Sequence, residues 1–276
     1  MYRRFRAFAA TAAILVGVAG FAGCDIAVQG GDGGLHFDVG AQARDQWTRS
    51  YKLAPGARLE LLNVNGRITA EASDRDTLEI TGERTAKGAS DEAAKDLLAN
   101  IEMREEVGDG RVRIEVRPPQ RRGPSGHEIK WTIRVPKGVA VDLRTVNGGV
   151  KLVGLSGDVR ARSTNGGITG EGIRSSNVDA AVTNGGVEIE LASVPGASGS
   201  IELESVNGGV SLTLPGDSTA DITARCVNGG ISINGLSLDI IGEQTRRKVE
   251  GKLNGGGTRV VLETTNGGVR LNRLTT

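Results

Sequence analysis

The chain has 276 residues, with 34 Lys and Arg against 33 Asp and Glu, a formal net charge of +1 and no long run of one sign, so its charge points to neither nucleic acid nor an acidic substrate. Two His and two Cys leave almost no material for an imidazole-based triad, a His-rich metal site or a disulfide framework. An aromatic content of 3% beside 42 Gly suits tight corners and a slim core, not a bulky sandwich interior.

Arg3, Arg4 and Arg6 precede an apolar run over 7–22 that is too short for a comfortable membrane span and ends in Phe21-Ala22-Gly23-Cys24. The order of these zones predicts a secretory signal peptide over 1–23. Small residues directly before a Cys resemble a bacterial lipoprotein box, with Phe21 where that box usually has Leu. The resemblance implies that Cys24 becomes the acylated first residue of an exported protein, lipid-anchored to the cell envelope. Cys226 is then the one remaining thiol. Residues 24–46 are polar and Gly-rich, which predicts a tether lifting the domain from the membrane. Gly30-Gly31-Asp32-Gly33-Gly34-Leu35 is a single, misregistered copy of a calcium-type repeat, and such sites need ligands from stacked neighbouring turns.

Residues 47–139 read as an N-terminal β region, with short alternating strands around 58–70, 77–83, 111–117 and 128–135 and one helix over about 90–106. Ser90 is a plausible N-cap, Asp91 and Glu92 favour the first turn, and Ala94, Leu97, Leu98 and Ile101 form an i, i+3, i+4, i+7 stripe. A helix over an otherwise open β edge is expected to act as a cap. His36 and His127 both fall in predicted loops. The stretch 117–127, with Pro118, Pro119, Arg121, Arg122 and Pro124, reads as a basic, solvated loop.

Residues 140–276 are dominated by six copies of Asn-Gly-Gly, at Asn147, Asn165, Asn184, Asn207, Asn228 and Asn266, each followed by Val or Ile. The spacings are 18, 19, 23, 21 and 38, the last near two periods, so one repeat has lost its signature or been replaced by an insertion. Six and four residues before each Asn stand apolar residues, such as Val141 and Leu143 or Ile201 and Leu203. Two before it stand small or β-branched ones: Thr145, Ser163, Val182, Ser205, Cys226 and Thr264. Charges such as Arg144, Arg162, Glu204 and Arg225 fall between, as a strand with one buried face requires, and Glu188 is a further outward charge. On that alternation the Asn falls on the inward row. A hairpin competes as the reading of Asn-Gly. A coil is preferred because the corner recurs at one register, and stacking would then place the Asn amides in a ladder about 4.8 Å apart. A distant copy, Leu59 to Ala70 with Asn65 and Gly66, extends the pattern upstream, with Arg67 in place of the second Gly. These features predict an all-β chain, a single-stranded β-solenoid or β-helix-like stack of coils of about 20 residues.

The signal peptide with its Cys, Val64-Asn65-Gly66, the strand closing in Val135-Pro136 and the serial Asn-Gly-Gly-Val/Ile corners together resemble the bacterial putative adhesin family, over roughly 47–274. The resemblance implies a β-solenoid-like fold and brings no catalytic residues. The expected protein is a non-enzymatic cell-envelope lipoprotein without cofactor or metal. Its partners are the membrane, through its anchor, and a protein or glycan on its side faces. Two alternatives stand beside it: an envelope-stress or assembly accessory binding a membrane partner, and a glycan-degrading β-helix enzyme.

Overall fold

The computed structural model describes residues 41–119, 126–194, 199–242 and 244–275. The signal segment, Cys24, the calcium-like motif, His36 and residues 120–125 of the basic loop lie outside the described residues. The described residues are all-β with one short helix, in two mixed sheets that do not close into a barrel.

The N-terminal elements are β1 (Ala41–Lys52), β2 (Arg58–Leu62), β3 (Ile68–Ser73), β4 (Thr77–Gly88), α1 (Asp91–Ala99), β5 (Glu102–Gly108), β6 (Arg111–Arg117) and β7 (Gly126–Pro136). Three expectations are corrected here. Residues 41–46 belong to β1 and not to a tether, because they pair with β4 from Ala41↔Gly88 through Gln46↔Glu83. The helix stops at Ala99, where the Asn100 N–H bonds back to Asp96 and Leu97; the chain then enters β5, antiparallel to β6. His127 lies in β7, not in a loop. The helix start behaves as its residues dictate: the Ser90 hydroxyl accepts from the Ala93 N–H, and Ala94, Leu97, Leu98 and Ile101 are buried. Gly88 lets the helix approach, since a Cβ there would lie 2.7 Å from the Ala94 nitrogen.

Each repeat supplies two strands, one on either side of its corner. They are β8 (Ala140–Asn147) and β9 (Val150–Val153), β10 (Val159–Asn165) and β11 (Ile168–Ile173), β12 (Asn177–Asn184) and β13 (Val187–Leu191), then β14 (Ser200–Asn207) and β15 (Val210–Leu214). β16 (Ala220–Asn228) and β17 (Ile231–Asn234) form the next, and β20 (Thr258–Asn266) with β21 (Val269–Arg273) the last. Between these two come β18 (Leu238–Ile240) and β19 (Lys248–Leu253). First strands pair in parallel with first strands and second with second, Asn opposite Asn throughout. The inward rows of both sheets, such as Val141, Leu143, Val150 and Leu152, join one contiguous buried cluster that reaches back through β2, β3 and β7.

The sheet orders are β1-β4-β7-β3-β9-β11-β13-β15-β21-β17 and β18-β19-β16-β20-β14-β12-β10-β8-β2-β6-β5. The 38-residue spacing therefore hides an insertion and a change of order. β19 folds back antiparallel on β16 and β18 pairs antiparallel outside β19, and the last repeat returns to lie between β14–β15 and β16–β17. At the other end the two edges are tied together. Glu105 of β5 accepts from Arg49 Nε at 2.8 Å and from the Tyr51 hydroxyl at 2.6 Å, both on β1, while Arg49 also lies over the Trp47 ring at 4.6 Å.

Candidate functional site

The corner is built by three residue types with separate tasks. The first Gly of each Asn-Gly-Gly has φ between +140° and +159°, and Gly66 has +116°. A Cβ on any of these would sit 1.8–2.7 Å from a carbonyl oxygen of the adjoining strand, so both conformation and close approach demand Gly. The residue two before the Asn is buried, and its hydroxyl caps the neighbouring corner: Ser163 to Gly148 O, Ser205 to Gly185 O and Thr264 to Gly208 O, at 2.7–2.8 Å. Val182 and Cys226 hold that position without a hydroxyl.

The Asn side chains form a continuous row. Amide Nδ2 donates to the next Oδ1 along Asn228, Asn266, Asn207, Asn184, Asn165, Asn147 and Asn65, at 2.8–2.9 Å. Asn65 Nδ2 then lies 3.4 Å from His127 Nε2. The expected inward placement is corrected: Asn65 is half-buried and the other six are exposed. Pairing passes from Thr145↔Ser163 to Asn147↔Asn165 without Val146 and Thr164, so strand alternation breaks just before the Asn. The corner Asn residues do not have positive φ: Asn254 is the one non-Gly residue with it among the described residues.

The row just before the Asn also faces outward. The residue before each Asn is always Val or Thr, and in spatial order the row runs Val64, Val146, Thr164, Thr183, Val206, Thr265, Val227. Val146, Val206 and Val227 are 42%, 45% and 56% exposed, and the three Thr are exposed beside them. From Val146 to Val227 these side chains line a groove of about 960 Å³ that crosses six strands of one sheet. β-branched side chains are stiff at χ1, so this lining is preorganised at the inter-strand spacing. Sequence reading missed it because alternation assigns that row to solvent; four Val among seven outward positions were the available signal.

The flank is charged and changes sign along the stack. Arg144 is held by both Asp142 oxygens at 2.7 and 2.9 Å, which pushes its guanidinium pKa up, and Arg162 pairs with Asp179. Ala181 leaves a gap; Glu204 and Glu263 then face each other across β14 and β20. Arg225 reaches Glu250 at 3.0 Å and Glu263 at 3.5 Å, and Lys248, more than Arg225, holds the Glu250 carboxyl below its usual range. Arg247 closes the end, its guanidinium 3.4 Å from Val227 O. Cys226 is buried under this end, and Glu188 stands exposed on the opposite sheet. A second hollow, about 760 Å³, adjoins Asn65, Arg67, Lys130 and Asn147. Among the described residues no three His, Cys, Asp or Glu side chains group as metal ligands, and no helix is long and apolar enough to cross a membrane.

No family model matches the chain, and neither does any curated protein. Among solved structures it is similar to a putative cell adhesion protein from Clostridium sporogenes, at 14% identity over 83% of this chain and 100% of that one, with a TM-score of 0.47. A putative adhesin from Bacteroides fragilis matches at 10% identity over 83% and 97%, TM-score 0.38. A putative lipid binding protein from Parabacteroides distasonis matches at 10% identity over 84% and 97%, TM-score 0.28. At TM-scores below 0.5 these likenesses carry no inference about what this chain binds.

Proposed function

We propose that this is a non-enzymatic, exported lipoprotein, acylated at Cys24 and tethered through residues 24–40, whose repeats stack as a β-solenoid and present a binding face to a protein or glycan of the cell envelope or surface, in the manner of an adhesin. The observation that carries the reading is the groove across six strands. It is long, open and lined by rigid β-branched side chains, with mixed charge along one flank. Such a surface suits an elongated ligand lying along the stack. Its titratable groups are spread over successive rungs, and Arg144, Arg162, Arg225, Lys248 and Glu263 are engaged in ion pairs, where turnover would need them convergent and shielded from water.

Two measurements test the proposal. Thr183→Arg and Val206→Arg place bulk in the groove on exposed side chains; each is expected to cut binding to envelope polysaccharide or surface protein at least tenfold while leaving the thermal midpoint unchanged. Binding that survives both would remove the groove from the function. Cys24→Ala is expected to release the protein from membranes or stall its processing, and unchanged detergent partitioning would remove the anchor. A defined product released from an envelope polysaccharide would support the solenoid-enzyme reading in its place.

A further inference from the structure

From β2–β3 to β14–β15 the repeats lie in chain order, and the last repeat breaks that order. β20–β21 occupies a slot between β14–β15 and β16–β17, paired on both sides in one register: Ile201↔Val260↔Ile222, Leu203↔Leu262↔Ala224, Asn207↔Asn266↔Asn228. It is the last of the repeats in sequence order, yet it is among the most enclosed, with Val260, Leu262, Val269 and Leu271 fully or almost fully buried. The slot is specified by a pattern: apolar residues six and four before an Asn, a hydroxyl two before it, and a Gly after it. At Gly267 a Cβ would lie 2.2 Å from Gly208 O, and the Thr264 hydroxyl caps that same carbonyl. A β-strand of other sequence lacks this set, and any copy of this chain carries it.

The connection into the slot is short and turns sharply. Residues 254–257 carry the chain across the start of β16, from Leu253 on one side of Ala220 to Thr258 on the other. Asn254, Gly255 and Gly256 have φ of +49°, +86° and +90°, and Asn254 Nδ2 is bonded to Gly216 O and Ser218 O. Gly adopts this region freely and Asn tolerates it, so the turn fixes a sharp change of direction over a few residues. A two-stranded element docked out of chain order through a short hinge is the arrangement that favours exchange between copies.

We propose that the slot accepts the β20–β21 repeat of a second copy of this chain, giving a reciprocally exchanged dimer. Each chain owns one slot and one inserted repeat, so the reciprocal pair is the smallest arrangement that fills every slot. Every pairing of the monomer is kept, the hinge is opened, and concentration decides the balance. The groove reading is independent of this exchange, because the same side chains line the same face in either form.

The test uses two versions of the mature chain, both with Cys24→Ser and Cys226→Ser. One carries Glu204→Cys and the other Glu263→Cys, positions opposed across β14 and β20. Neither version can crosslink within itself. Refolded together at high concentration and treated with a short thiol-to-thiol crosslinker, they are expected to give a covalent heterodimer whose share falls on refolding in dilute solution. Mixed after separate dilute refolding, they are expected to give far less. Joint refolding that yields monomers alone overturns the proposal. If either variant fails to fold, Ser211→Cys with Arg270→Cys, opposed across β15 and β21, makes the same reading on the other sheet. Lengthening the hinge by four Gly-Ser residues is expected to lower the dimer share several-fold, and an unchanged share would overturn the role given to the hinge.

Discussion

Asn65 Nδ2 points at His127 Nε2 across 3.4 Å, so the row of side-chain amides that starts at Asn228 ends on an imidazole. Every amide in the row donates in the same direction, and the last acceptor has to be an unprotonated ring nitrogen.

That requirement makes the end of the row acid-sensitive. Burial pushes the His127 pKa below its ordinary value, so the folded state favours the neutral ring. The unfolded chain binds the proton more readily, and this contribution to stability is present above the usual imidazole pKa of about 6.5 and lost as pH falls through the folded value. His127→Gln keeps an acceptor that does not titrate. Denaturant midpoints of the wild type are expected to fall more between pH 7 and 5.5 than those of the variant. Parallel curves would detach His127 from the row's stability.

At the corner itself the ranking is Gly over Asn over charge. Gly185→Ala combines a φ of +144° with a Cβ 2.7 Å from Gly166 O, and is expected to cost about 3 kcal/mol or more. Asn184→Leu removes two bonds of 2.9 Å, but at an exposed site where water replaces them, so about 1 kcal/mol is expected. Arg162→Ala gives up a half-exposed ion pair and should stay near about 0.5 kcal/mol. Urea midpoints in a different order would reassign what holds the corner.

The alternation of Val141, Leu143 and Thr145 told the truth about the buried face, and Ser90 with its apolar stripe told it about the helix start, because each pattern repeats the period of its own element. The same alternation misplaced the Asn, since the break at Val146 is a corner property that periodicity cannot carry. β1 was hidden for another reason. It is an edge strand with charges at Arg44, Asp45 and Arg49, and little of it is buried. The order of the last two repeats was not legible at all: with the same register toward β14 and β16, nothing local distinguishes one neighbour from another.

The hydroxyl row has two gaps that can be filled. Val182 lies between Ser163 and Ser205 in the stack, and each of these hydroxyls bonds a corner carbonyl at 2.8 Å. Val182→Thr keeps the branched shape and supplies the hydroxyl facing Gly166 O, so a gain of about 0.5–1 kcal/mol is expected. Cys226→Ser should act alike toward Gly267 O. Two losses of stability in place of two gains would mean that the hydroxyls are satisfied locally and do not cap the corners.

At the N-terminal edge, Glu105 receives both Arg49 and the Tyr51 hydroxyl, and Tyr51 is buried. Burial, then the hydrogen bond to Glu105, raises the Tyr51 pKa well above its ordinary value. A raised phenol pKa contributes stability that is fully present below the unfolded value of about 10 and lost as pH rises toward the folded one, because the unfolded chain gives up its proton first. Tyr51→Phe removes that titration and leaves the Arg49–Glu105 pair in place, whereas Glu105→Gln weakens both links between β1 and β5. Wild-type stability is expected to fall more steeply than that of Tyr51→Phe between pH 9.5 and 11, a difference in which the shared lysine titrations cancel. Hydrogen exchange at pH 7 is expected to quicken along β1 and β5 in Glu105→Gln more than in Tyr51→Phe. Identical alkaline slopes, or equal exchange in the two variants, would show that Glu105 does not hold the two edges together.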